Sequence, residues 1–148
     1  MTGAVIGAAL AGNLWRFALA KDSILGSSKL VAFAPITEAA RARAFYETTL
    51  GLRLMSDELP FALVFDANGT MLRLTIVSEH HVQPFTILGW EVDSIEDAVK
   101  RLTAADVAFL RYPGLNDGGP LPIWTSPSGA HIAWFHDPDH NLLSLTEF

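Results

Sequence analysis

The apolar positions of this chain switch between two periods. Residues 30–37 form a short apolar run of strand type, and residues 38–50 change to helical spacing, with Ala39, Ala42, Phe45 and Tyr46 on one face. Thr37 is placed to cap that helix and Gly51 to stop it. Residues 52–57 read as a strand, and Pro60 separates them from a second at 61–65. Asp66-Ala-Asn-Gly69 then makes a hairpin turn, because Asn-Gly accepts the positive φ that tight hairpins need. Residues 71–77 alternate, sending Leu72, Leu74 and Ile76 to one face and Met71, Arg73, Thr75 and Val77 to the other.

The pattern then recurs. A strand is expected at 85–92 and a helix at 94–105, with Ser94 as cap and Asp97 at its third position. Further strands follow at 107–111, 123–125, 130–136 and 142–147. One constant offset lays Val31 on Ile87, Ile36 on Val92, Ala42 on Ala98 and Tyr46 on Leu102. The later strands need a larger offset, because the Pro- and Gly-rich stretch Tyr112-Pro-Gly-Leu-Asn-Asp-Gly-Gly-Pro-Leu-Pro122 is inserted. The expected architecture is α+β: two βαβββ half-repeats, over about 30–78 and 84–148, whose curved sheets share a cleft with the helices outside.

Composition narrows the function classes. Half of the 148 residues are hydrophobic, nine Phe and four Trp among them, which is enough for one folded core. A formal charge of −6 with no basic stripe argues against nucleic acid or an anionic membrane as partner. With no cysteine, disulfides, thiolate metal sites and cysteine nucleophiles are excluded, which suits a cytoplasmic protein. No apolar run reaches the length of a membrane span. The apolar N-terminus lacks the basic start of a leader, its first cation being Arg16. Residues 1–29 read as an arm with a helix at 14–20, serving packing or a subunit contact.

Three motifs give the chain a family likeness: Ala44-Phe-Tyr-Glu-Thr-Thr-Leu-Gly-Leu52, Trp90-Glu-Val-Asp-Ser-Ile-Glu-Asp-Ala98 and Phe135-His-Asp-Pro-Asp-His-Asn-Leu143. With these, residues 30–148 resemble the vicinal oxygen chelate superfamily, which includes glyoxalase I, extradiol dioxygenases and the fosfomycin- and bleomycin-resistance proteins. The resemblance implies the fold, a small-molecule ligand and a homodimer. It also implies a divalent metal held by His or Glu from the first and last strands of each half. Carried over one by one, those positions are Val31, Arg73, Ile87 and Ser144. Two are aliphatic, one is a cation and one a weak hydroxyl donor, so no metal is expected at the usual site.

Arg73 is the strongest candidate for binding, since its strand places a planar guanidinium toward the cleft for a carboxylate, phosphate or enolate oxygen. The alternative for it is an ion pair with Glu91, which shares the parity of Ile87. Packing is the default for Phe33, Phe85, Trp124 and Trp134, but Phe33 and Phe85 share parity with Val31 and Ile87, which points them to the cleft face. His136 stands at even odds between the cleft and the sheet edge. A displaced metal site from His131 and His136 meets the difficulty that the two fall on opposite faces of a strand. His80-His81 reads as a solvated linker pair, and His140 as a turn residue tolerating an unusual φ. Residues 112–122 read as a semi-rigid surface loop, with a lid as the sharper alternative.

Two functions follow as expectations. The preferred one is a metal-free module binding a small molecule in an apolar cleft through Arg73, with Val31, Phe33, Phe85, Ile87, Glu91, Ser144 and His136 around it. The other is a lyase, isomerase or dioxygenase using a displaced metal or Arg73 as electrophile.

Overall fold

A computed structural model describes residues 23–148, so the helix expected at 14–20 lies outside the described residues. The chain divides into two units, Met1–Val31 and Ala32–Phe148. In the first, a turn is closed by the Gly26 N–H donating to Ser23 Oγ at 2.7 Å. The second holds both half-repeats. Among the described residues no helix is long and apolar enough to cross a membrane.

The first half runs β1 (Val31–Ile36), α1 (Ala39–Arg43), a π-helical segment (Ala44–Thr49), β2 (Arg53–Glu58), β3 (Ala62–Ala67) and β4 (Thr70–Ile76). Its helix starts one residue later than the pattern predicts, and the cap is Glu38 rather than Thr37. The Glu38 carboxylate accepts from the Ala40 and Arg41 N–H groups at 3.1 and 3.0 Å. Thr37 is committed elsewhere, as described below. Past Arg43 the helix widens, and the Leu50 N–H reaches Phe45 O at 2.9 Å. Gly51, at φ +76°, ends it. At the hairpin, Asn68 and Gly69 both take positive φ and pair Ala67 with Thr70.

The second half runs β5 (Leu88–Glu91), α2 (Ile95–Ala104), β6 (Trp124–Thr125), β7 (His131–His136) and β8 (Leu142–Glu147). Ser94 caps α2 as predicted, its Oγ accepting from the Asp97 N–H at 3.2 Å. The two sheets have the same order, β1-β4-β3-β2 and β5-β8-β7-β6, with β5 parallel to β8 and β7 antiparallel to it. The internal repeat is therefore structural.

Two strand expectations shrink. β5 begins at Leu88, which leaves Phe85 outside it. The run at 107–111 reduces to a bridge between Phe109 and Phe135. Here two segments share one edge of β7: Phe109 and Leu110 lie against one end, and β6 pairs with the other.

One core joins the halves on the helix side. Ile36, Tyr46, Phe65 and Leu74 pack in the same cluster as Val99, Phe135 and Leu143. The seam is polar and is made by the turn between β7 and β8. Asp137 Oδ1 accepts from the N–H groups of Asp139 and Asn141, both at 2.9 Å. Its Oδ2 accepts from the Tyr46 hydroxyl at 2.6 Å and from Asn141 Nδ2 at 2.8 Å. Asn141 Nδ2 also donates to Pro35 O at 2.8 Å, and Asp139 Oδ1 accepts from Thr37 and Arg41. His140 takes φ +63°, the unusual value expected of it.

Candidate functional site

Each sheet keeps one face for the core and turns the other away from it. In the first sheet, Ala34, Ile36, Leu72 and Leu74 are buried, while Val31, Phe33, Met71 and Thr75, of opposite parity, are exposed. Phe33 is 60% exposed and Met71 44%, so the open face is largely apolar. Arg73 stands in the middle of it, half-buried, between Met71 and Thr75.

The partner of Arg73 is Glu58, not Glu91: Nη2 donates to Glu58 Oε2 at 2.6 Å. The cause is a β-bulge in β2. Between Leu54, opposite Phe65, and Ser56, opposite Val64, the register shifts by one residue. Ser56 and Glu58 are thereby re-aimed onto the face of Val64 and Arg73, which pair across β3 and β4. The hydrogen bond from Arg73 is the main reason the Glu58 carboxyl is held below its usual range. Glu91, at the end of β5, instead lines a cavity on the helix side.

The open face of the second sheet is furnished differently. Ser144 is only 7% exposed and sits beside Gly89, its partner across β5 and β8. A Cβ on Gly89 would lie 2.7 Å from Ser144 Oγ, so the hydroxyl occupies the space a side chain would need. Ile87 precedes β5, half-buried, and its N–H donates to Leu142 O at 2.9 Å. Trp134, opposite Ser144, has its ring 6.0 Å from that of Trp124 and 5.5 Å from that of Tyr112. The two tryptophans do pack, but against each other on the open face. Phe85 is exposed and outside β5, so the parity that would have aimed it at a cleft does not apply to it.

Residues 112–122 are tied down by two side chains that the sequence reading passed over. Asn116, 2% exposed, donates to Leu110 O at 2.9 Å and Pro122 O at 3.0 Å, and its Oδ1 accepts from the Tyr112 N–H at 2.6 Å. Arg111 donates to the carbonyls of Asn116, Gly119 and Pro120 at 3.0 to 3.1 Å. In the sequence, an Asn within a Gly- and Pro-rich stretch is the signal that could have pointed to this anchoring.

The histidines stay dispersed. His136 ends β7 on the open face, 5.8 Å ring to ring from His140. Burial, and then the charge of His140, hold the His136 imidazole below its usual value. His131 Nδ1 pairs with Thr125 Oγ1 at 2.9 Å. His80, expected to be solvated, has a buried Nε2 with no partner among the described residues. Val31, Arg73, Ile87 and Ser144 supply no donor set for a divalent ion. Among the described residues no three His, Asp or Glu side chains are grouped to hold one either. These residues do not fit the family's metal.

The comparisons with known proteins agree with the topology. Solved structures with the same fold include a lactoylglutathione lyase from Agrobacterium tumefaciens, 15% identical, with a TM-score of 0.63 over 81% of this chain and 93% of that one. Another is a fosfomycin resistance protein from Listeria monocytogenes, 13% identical, with a TM-score of 0.64 over 80% and 91%. A superfamily member from Sphaerobacter thermophilus is 23% identical, with a TM-score of 0.61 over 80% and 97%. No curated protein sequence matches the chain. The family model for the Glyoxalase/Bleomycin resistance protein/Dioxygenase superfamily matches residues 31–145. With that match over most of its length, and with two half-repeats of one strand order, the chain belongs to this superfamily.

Proposed function

We propose that this protein binds a small organic molecule on the open face of the first sheet, with Arg73 presenting its guanidinium to an anionic oxygen group of the ligand. The observation that carries this reading is the Arg73–Glu58 pair in the middle of the open face, beside the exposed apolar side chains of Phe33 and Met71 and apart from the face's other ion pair, Arg53–Asp66. A guanidinium has five N–H donors in a fixed fork, and Glu58 engages one nitrogen of it. A ligand carboxylate or phosphate takes the remaining donors, while Phe33 and Met71 supply apolar contact.

In this reading the site needs no divalent ion. A fixed cation replaces one ligand of the usual set, and it stays charged at every accessible pH. We also propose that a second copy of the chain closes the open face, giving a homodimer in the cytoplasm; the large exposed side chains of the first sheet support this.

The test is a thermal-shift and calorimetric screen of aromatic and aliphatic carboxylates and phosphates, with purified protein assayed for bound metal. An anionic ligand is expected to raise the melting temperature without added metal, and Arg73→Met is expected to abolish its binding. Unchanged affinity in Arg73→Met removes Arg73 as the anchor. Stoichiometric metal, lost on His136→Asn, turns the reading to a displaced metal centre.

A further inference from the structure

The helix-side cavity lies away from the open faces, between the end of the π-helical segment and α2. Its volume is about 450 Å³, within the range of small-molecule sites. Leu50 and Leu52 come from the first half, and Trp90, Leu102, Phe135 and Leu145 from the second, so it forms only where the halves meet. Phe135 and Leu145 are buried core residues that make its floor. At its mouth stand Glu91 and Arg101, which also line an adjoining polar depression with Asp93 and Asp97.

The charges decide the ligand. Arg101 lies 3.8 Å from Asp97 within α2, and the carboxylates around the mouth, Glu91, Asp93 and Asp97, outnumber it three to one. Glu91 and Asp93 make no salt bridge among the described residues, and Glu91 is the carboxylate that borders the apolar space itself. An anion entering here meets uncompensated negative charge, while a neutral apolar molecule leaves Glu91 unused. We propose that this cavity binds an organic monocation, an amine whose aromatic or branched aliphatic body fills the apolar space while its ammonium group pairs with Glu91. The indole of Trp90 in the wall favours the same charge, because the face of an aromatic ring attracts a cation. This site is independent of the Arg73 face and of opposite sign.

A matched pair of probes tests it: naphthylethylammonium and naphthylacetate share one ring system and differ in charge. Both are titrated calorimetrically at low salt into the full chain and into Arg73→Met, so that the open face does not capture the carboxylate. In Arg73→Met the ammonium probe is expected to saturate with a Kd below about 1 mM, and the carboxylate to bind at least about fivefold more weakly. Glu91→Gln is expected to weaken the ammonium about three- to fivefold, as for a partly exposed ion pair, and to leave the carboxylate unchanged. Ala98→Phe, which fills the cavity from α2, is expected to abolish saturable binding, and the exposed Glu91→Gln gives an answer that does not depend on how Ala98→Phe folds. The proposal is overturned by no saturation at about 1 mM, by equal affinity for the two probes, or by ammonium binding that disappears in Arg73→Met. Failure of the ammonium probe leaves the anion-binding reading of the open face standing, because the two sites share no residue.

Discussion

The open face of the first sheet and that of the second share one strand order and differ in what stands on them. The offset that relates the halves lays Phe33 on Gly89. With the larger offset of the last strands, exposed Phe33 and half-buried Arg73 in one sheet stand against Gly89 and buried Ser144 in the other. The first face is left open, with exposed apolar side chains and two ion pairs, Arg73–Glu58 and Arg53–Asp66. The second is filled by its own chain, through Ser144 over Gly89, Trp124 and Trp134 in contact, and Tyr112 from the anchored loop. Duplicating a backbone does not duplicate a site, because one insertion and a few side chains settle whether a face is furnished from within or left for a partner.

The largest effect is expected from releasing the loop that dresses the second face. Asn116→Ala leaves the Tyr112 N–H and two carbonyls without their partner in a buried position. It is expected to cost about 3 kcal/mol, on the order of 10 °C in melting temperature, read by calorimetry. Making the second face resemble the first is expected to cost slightly less. Gly89→Phe drives a side chain into Ser144 Oγ and is expected to destabilise by about 1–3 kcal/mol, partly relieved by Ser144→Gly; full tolerance breaks the comparison. The reverse change, Phe33→Gly, touches no core and is expected to lower ligand affinity more than stability.

The seam gives a third test. Tyr46→Phe removes a buried hydrogen bond to Asp137 and is expected to cost about 1–2 kcal/mol in chemical unfolding. Burial, then the Asp137 charge, raise the Tyr46 hydroxyl far above the tyrosine range. Its contribution is therefore complete below about pH 10 and declines above it, where only the unfolded chain ionises; the Phe variant lacks that decline. The smallest effect concerns His136. Because its folded value is depressed, the unfolded chain takes up the proton first, so stability is full above about pH 6.5 and falls as the pH drops below it. His136→Asn is expected to flatten that part of the melting-temperature profile.

Local chemistry was readable. Asn68-Gly69 announced its hairpin, Ser94 its helix, Gly51 its stop and His140 its left-handed turn, because each acts within a few residues of itself. The repeat was readable for the same reason: periodicity survives where side-chain identity does not. What escaped depends on distance or on register. Thr37 looked like a cap until Asp139 claimed it from the far end of the chain. Glu58 could not be matched to Arg73 because a bulge shifts the parity of β2, and alternation in sequence carries no sign of that shift. Phe85 fell outside its strand for want of a ladder partner. The cavity walls, drawn from both halves, had no signature in one dimension.

The seam also sets a clock. Pro35 and the Asn141 side chain that takes its carbonyl are 106 residues apart in the chain, and Tyr46 and Asp137 are 91 apart. At ribosomal rates of about 5–20 residues per second, roughly 5–20 seconds pass between the synthesis of Pro35 and that of Asn141. Throughout that interval the first half exists with the Tyr46 hydroxyl and the Pro35 carbonyl still bonded to water. Its helix can form early, but the polar contacts that hold it to the second half must wait until Asp137 and Asn141 have been made, so the two halves close on each other only after both have been synthesised.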